Sequence, residues 1–67
     1  MDRKLYLEKC QKCAVFKNEV VKFKDIEYYP RGYVMQFDDK GNPLHYAMLQ
    51  DKNKRTVVYS NLKDIEQ

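Results

Sequence analysis

Beyond residue 18 the chain changes period, and that change constrains its fold more than any other feature. The stretch "EVVKFKDIEYYPRGYVMQFDDKGNPLHYAMLQDKNKRTVVYSNLKDIEQ" is dense in Val, Tyr, Phe and Thr and is broken by turn residues at short intervals. That combination predicts a β-meander. Strands are expected over 20–23, 26–29, 33–38, 44–50 and 55–60. Lys24-Asp25 reads as a tight turn, and "DKNK" at 51–54 as a polar reversal. "DDKGNP" is the clearest hairpin signal, with Gly41 and Asn42 able to adopt positive φ and Pro43 fixing the exit. "PRG" at 30–32 is either a turn or a bulge that bends one long strand, because proline cannot donate to a ladder.

Ahead of the meander the period is helical over residues 2–16, within an N-terminal segment 1–17. Tyr6, Leu7, Cys10, Cys13 and Ala14 fall at i, i+1, i+4, i+7 and i+8, one continuous stripe. Asp2 is the expected N-cap, and Lys17-Asn18 the expected exit, since Asn tolerates the left-handed conformation. At the other end "SNLKDIEQ" predicts a short helical turn whose Leu62 and Ile65 plug an open end of the sheet.

The strands carry apolar side chains on both faces. Tyr33, Met35 and Phe37 oppose Val34, and Tyr46 and Met48 oppose Ala47 and Leu49. Both faces are therefore expected to be covered, one by closure of the sheet on itself and the other by the helix. The expected fold is α+β, mostly β: an N-terminal helix on a five-stranded, strongly bent antiparallel barrel with a short C-terminal helical turn. At 67 residues it is one domain, 1–67, with a thin core.

No apolar run approaches the roughly 20 residues of a spanning helix or the about 7–15 of a signal-peptide core. With Met1 leading, the chain reads as a complete, leaderless cytoplasmic protein. Its net charge of +3 sits on residues 1–18, where five basic side chains face two acidic ones; the remainder holds eight of each. Such a balance permits an anionic partner without requiring one.

Cys10 and Cys13 form the only C-x-x-C in the chain. Structural zinc needs four ligands, and the sequence offers one pair and one histidine, His45. Thioredoxin-like chemistry places its first cysteine at a helix N-terminus after a strand, and haem attachment needs histidine where Ala14 stands. Both thiols lie on the apolar stripe, so the pair is expected to pack as small hydrophobes. A zinc clip shared between two chains through Cys10 and Cys13 is the remaining metal reading. His45 has no nucleophile and ordering carboxylate at recognisable spacing, and Asp38 and Asp39 are explained by the turn they flank. No catalytic centre and no cofactor are expected.

The richest constellation is "YYPRGY", residues 28–33, whose tyrosines and arginine are of the kind enriched at interfaces. Neighbours in a strand point oppositely, so one of Tyr28 and Tyr29 belongs at the surface or under the helix. Tyr29, Arg31 and Tyr33 are the expected protein-contact surface, with the sheet edge as a site for an added strand. Lys22, Lys24, Lys54 and Arg55, joined to exposed tyrosines, form the alternative, a weak nucleic-acid platform.

The meander, the "FDDKGNPLHYAMLQD" hairpin and the closing "TVVYSNLKDIE" resemble the SH3-like small barrels that abound in bacterial and phage genomes. "YL-x-x-C" followed by "YYP-x-GY" and "G-x-P-x-H" is similar to small uncharacterised proteins of Gram-positive bacteria and their phages and mobile elements. The first resemblance implies binding of peptides, other proteins or nucleic acid. The chain departs from the peptide-binding type, having no tryptophan and no acidic loop for proline-rich ligands. The expected role is a non-catalytic binding module: an adaptor, regulator or inhibitor of a larger cytoplasmic protein.

Overall fold

The computed structural model describes residues 1–16 and 19–66. The order of elements is α1 (Arg3–Phe16), β1 (Val21–Phe23), β2 (Ile26–Phe37), β3 (Pro43–Asp51), β4 (Val57–Asn61) and a 3-10 turn (Leu62–Asp64). The four strands form one antiparallel sheet in the order β1-β2-β3-β4, curled into a half-barrel. Asp2 caps α1 as expected: its Oδ1 accepts the Leu5 N–H at 2.9 Å and its carbonyl the Tyr6 N–H at 3.1 Å. The expected exit at Lys17-Asn18 lies outside the described residues.

Four strands, not five, make the sheet. The two expected over 26–29 and 33–38 are a single strand, because the chain passes through Pro30-Arg31-Gly32 without leaving the ladder. Pro30 pairs with Leu49 and Gly32 with the next residue back, Met48, so Arg31 is a surplus residue in a β-bulge. The bulge reverses side-chain parity. Tyr29 pairs with Gln50 and Tyr33 with Ala47, which alternation places on opposite faces of β3.

Turn chemistry holds the other strands in register. Lys24 and Asp25 both adopt positive φ, 53° and 64°, the pattern of a two-residue hairpin turn that matches strand twist. In the β2–β3 turn only Gly41 takes positive φ, at 81°. There Asp38 Oδ1 accepts the N–H groups of Lys40 and Asn42 at 2.9 and 2.8 Å. Asp51 does the same for Arg55 and Thr56 in the β3–β4 turn, at 2.7 and 3.0 Å.

The core gathers Tyr6, Val21, Ala47, Leu49, Leu62 and Ile65 on one face of the sheet. Leu62 and Ile65 plug the end of the curl, as expected. Helix and curl, however, enclose the same face; α1 does not cover the second one. The buried stripe is also narrower than expected. Tyr6 and Cys13 are fully buried and Cys10 half-buried, while Leu7 is 39% exposed and Ala14 is exposed. Tyr6 sets this rotation, because its ring enters the core and its hydroxyl lies 2.7 Å from the Gly32 carbonyl and 3.1 Å from that of Met48. The i, i+4, i+7 line then faces the sheet, and the i+1, i+8 line swings to the rim.

The half-barrel is drawn together at one further point. The Glu66 N–H donates to the Lys22 carbonyl at 2.9 Å, engaging the outer edge of β1. No element pairs with the outer edge of β4 among the described residues. No helix among them is long and apolar enough to cross a membrane.

Candidate interaction surface

The register defines the face that α1 leaves open. Tyr29, Gly32, Val34 and Gln36 of β2, Leu44, Tyr46, Met48 and Gln50 of β3, and Val57, Tyr59 and Asn61 of β4 share it. Tyr59 is 62% exposed and Val57 48% exposed, and Val34, Tyr46 and Met48 are half-buried by one another. A run of tyrosines and aliphatic side chains across three strands is thus left against solvent. Isolated exposed apolar residues are ordinary, whereas a contiguous patch is characteristic of binding surfaces.

Val34, Gln36, Tyr46 and Tyr59 line a shallow hollow of about 150 Å³ in this face. Tyr59 stands directly opposite Met48, which puts Tyr46 and Tyr59 on a cross-strand diagonal. Met48 packs over Gly32, where a Cβ would come within 3.0 Å of the Met48 sulfur. Glycine at 32 therefore lets the face close flat above the bulge.

At the edge of the patch the Arg31 guanidinium lies 5.4 Å from the centre of the Tyr29 ring, and its Nε donates to Gln50 Oε1 at 2.7 Å. These contacts hold the surplus residue of the bulge on the open face. Arg31 forms no ion pair among the described residues, where the pairs are Lys9–Glu19 and Lys52–Glu27.

The expected contact surface of Tyr29, Arg31 and Tyr33 is therefore divided. Tyr29 and Arg31 stand together on the open face. Tyr33 is half-buried on the core face, its hydroxyl hydrogen-bonded to Nδ1 of His45. Alternation along an unbroken strand would put all three on one side, and the bulge between Pro30 and Gly32 breaks that alternation. Sequence reasoning misses Tyr46, Met48, Val57 and Tyr59 as surface residues; their signal is the apolar alternation on both faces, of which the expected fold leaves neither open.

Lys24 lies in the β1–β2 turn and Lys54 and Arg55 in the β3–β4 turn. Because Tyr28 pairs with Asp51, these turns occupy the same end of the sheet, with Lys22 on β1 beside them. Lys24 also sits over the Phe23 ring, 5.2 Å from its centre.

Cys10 and Cys13 are free thiols on the inward line of α1. Burial pushes the Cys10 thiol up from its ordinary range, the reverse of what activates a cysteine. A zinc clip between chains needs both sulfurs at a surface, and Cys13 has none while α1 is docked. No group of three or more His, Cys, Asp or Glu among the described residues is arranged to hold a metal ion.

The chain matches no protein-family model, and neither the curated proteins nor the solved structures contain a detectable match to it.

Proposed function

We propose that the chain is a non-catalytic protein-interaction module that binds its partner through the open face of the sheet. The observation that carries this reading is the uncovered patch of Tyr46, Met48, Val57 and Tyr59, bordered by Arg31. Aromatic and Met side chains with an arginine at the border match the composition of binding surfaces. The hollow beside Tyr59 suits an aliphatic or aromatic side chain, and the Arg31 guanidinium, in no ion pair among the described residues, suits a carboxylate next to it. The open edge of β4 runs beside the patch, so a partner strand added there would continue the same face. The partner is accordingly a protein that presents an extended, acidic and apolar segment.

Affinity capture tests this with the tagged chain and the variants Tyr59→Ser, Arg31→Ala and Tyr29→Ala, set against Tyr33→Phe on the opposite face. A partner retained by wild type and Tyr33→Phe but lost with the open-face variants supports the reading. Equal capture by every variant overturns it.

A second reading has one observation in its favour, the gathering of Lys22, Lys24, Lys54 and Arg55 at one end of the sheet. A weak nucleic-acid platform there would bind single strands with an affinity that falls steeply with salt. A flat response to added oligonucleotide removes it.

A further inference from the structure

Where α1 begins, a second concavity of about 330 Å³ opens between the start of the helix, the start of β3 and the 3-10 turn. It shares Leu44 and Asn61 with the border of the open face, but Arg31, Tyr46, Met48, Val57 and Tyr59 do not line it. We propose that this concavity binds a small organic anion, a phosphate or carboxylate carried on an apolar body.

The polar groups around it are only partly engaged. Arg3, His45, Asn61 and Lys63 line the cavity together with Asp2. Asp2 turns one carboxylate oxygen to the helix, Oδ1 accepting the Leu5 N–H at 2.9 Å. Asn61 Oδ1 accepts the Lys63 N–H at 3.2 Å, which leaves its amide nitrogen as the free end. The Tyr33 hydroxyl is hydrogen-bonded to Nδ1 of His45, which leaves Nε2 as the ring nitrogen without a partner among the described residues. Neither Arg3 nor Lys63 forms an ion pair among the described residues. One carboxylate, that of Asp2, thus stands among two cations without ion pairs and a free amide nitrogen, while the Met1 ammonium, which also lines the cavity, is turned to the Leu62 and Ile65 carbonyls at 3.4 and 3.2 Å.

A cavity rich in donors and poor in acceptors selects an oxyanion, and an arginine fork adds two-point geometry to that selection. Pro43, Leu44 and Leu62 supply the apolar part of the wall, suited to a ring or short chain beside the charged head. The volume falls at the small end of ligand pockets, about 300–1,000 Å³. Phosphate and carboxylate share the required chemistry, and the experiment separates them.

The test titrates the isotope-labelled chain with phenyl phosphate, benzoate and benzyl alcohol, the last a neutral compound of the same size. Saturable shifts of the Arg3, His45 and Lys63 amides with either anion, and none with the alcohol, support the proposal; the tighter anion identifies the head group. The paired substitution Arg3→Gln and Lys63→Gln, at two exposed positions, weakens that binding about tenfold or more while the rest of the spectrum stays unchanged. Failure of both anions to saturate at millimolar concentration overturns the proposal. So does equal binding of the alcohol, or undiminished affinity in the paired variant. Tyr59→Ser leaves this binding intact, so the loss of either site is read separately.

Discussion

A phenol has one proton to donate, and at Tyr6 two carbonyl oxygens lie within its reach. The nearer belongs to Gly32, just past the bulge, where the ladder has lost its register. Tyr6→Phe keeps the ring and strands these buried carbonyls, so it is expected to cost about 1–3 kcal/mol in urea denaturation. Burial, the largest influence, holds the folded phenol protonated well above the ordinary tyrosine range. A group raised on folding contributes its full stability below its unfolded pKa of about 10, and that contribution is lost as the unfolded chain ionises above it. The advantage of wild type over Tyr6→Phe should therefore narrow above about pH 10, measured as paired denaturation midpoints. Cys13 makes a complementary case. Cys13→Ser buries a hydroxyl in place of a thiol and is expected to cost about 1–3 kcal/mol, and a thiol reagent should modify Cys13 only as fast as the chain opens. That Tyr6 and Cys13 face inward was legible from their seven-residue spacing. The partners of the Tyr6 hydroxyl were not, because the carbonyls it meets lie 26 and 42 residues away along the chain.

Elements respond to their turns more than to their strands. Lys24 and Asp25 both hold positive φ without being glycine, a conformation that costs an L-residue roughly 1–2 kcal/mol. Asp25→Gly should recover up to about 1 kcal/mol of that, seen as a raised denaturation midpoint. In the β2–β3 hairpin the Asn42 N–H, with smaller help from the Asn42 side chain and the Lys40 N–H, holds the Asp38 carboxyl below its usual range. Here the sign is opposite to that of Tyr6. A depressed carboxyl stabilises above its unfolded pKa of about 3.9, and the benefit is lost as pH falls through the folded value. Amide exchange at Asn42 and Lys40 should quicken relative to the sheet core below that pH, and Asp38→Ala should abolish the difference. Both turns were legible, since Asp, Asn and Gly declare themselves locally. At "PRG" the sequence is ambiguous, because proline alone does not distinguish a reversal from a bulge; the pairing of Pro30 with Leu49 and Gly32 with Met48 decides it, and that is long-range information.

On the scale of the whole molecule the sheet divides labour between its sides. The face under α1 holds the chain together, and the other is free of that duty. Leu49→Ala should cost about 2–5 kcal/mol, whereas Tyr59→Ser should change stability by no more than about 0.5 kcal/mol, compared by thermal unfolding. Apolar alternation on both sides was visible in the sequence. Which side the helix would occupy was not, because a single stripe fits either side equally until a side chain such as Tyr6 finds its seat.

The extra residue at Arg31 works as a parity setting for the longest strand. Remove it, and everything on one flank of β2 must rotate by half a turn, sending the Tyr33 side outward or the Tyr29 side inward. Add or remove two residues instead, and the in-and-out pattern survives with only the length altered. Natural variation in this stretch should accordingly come in even steps, since odd ones would turn the molecule inside out.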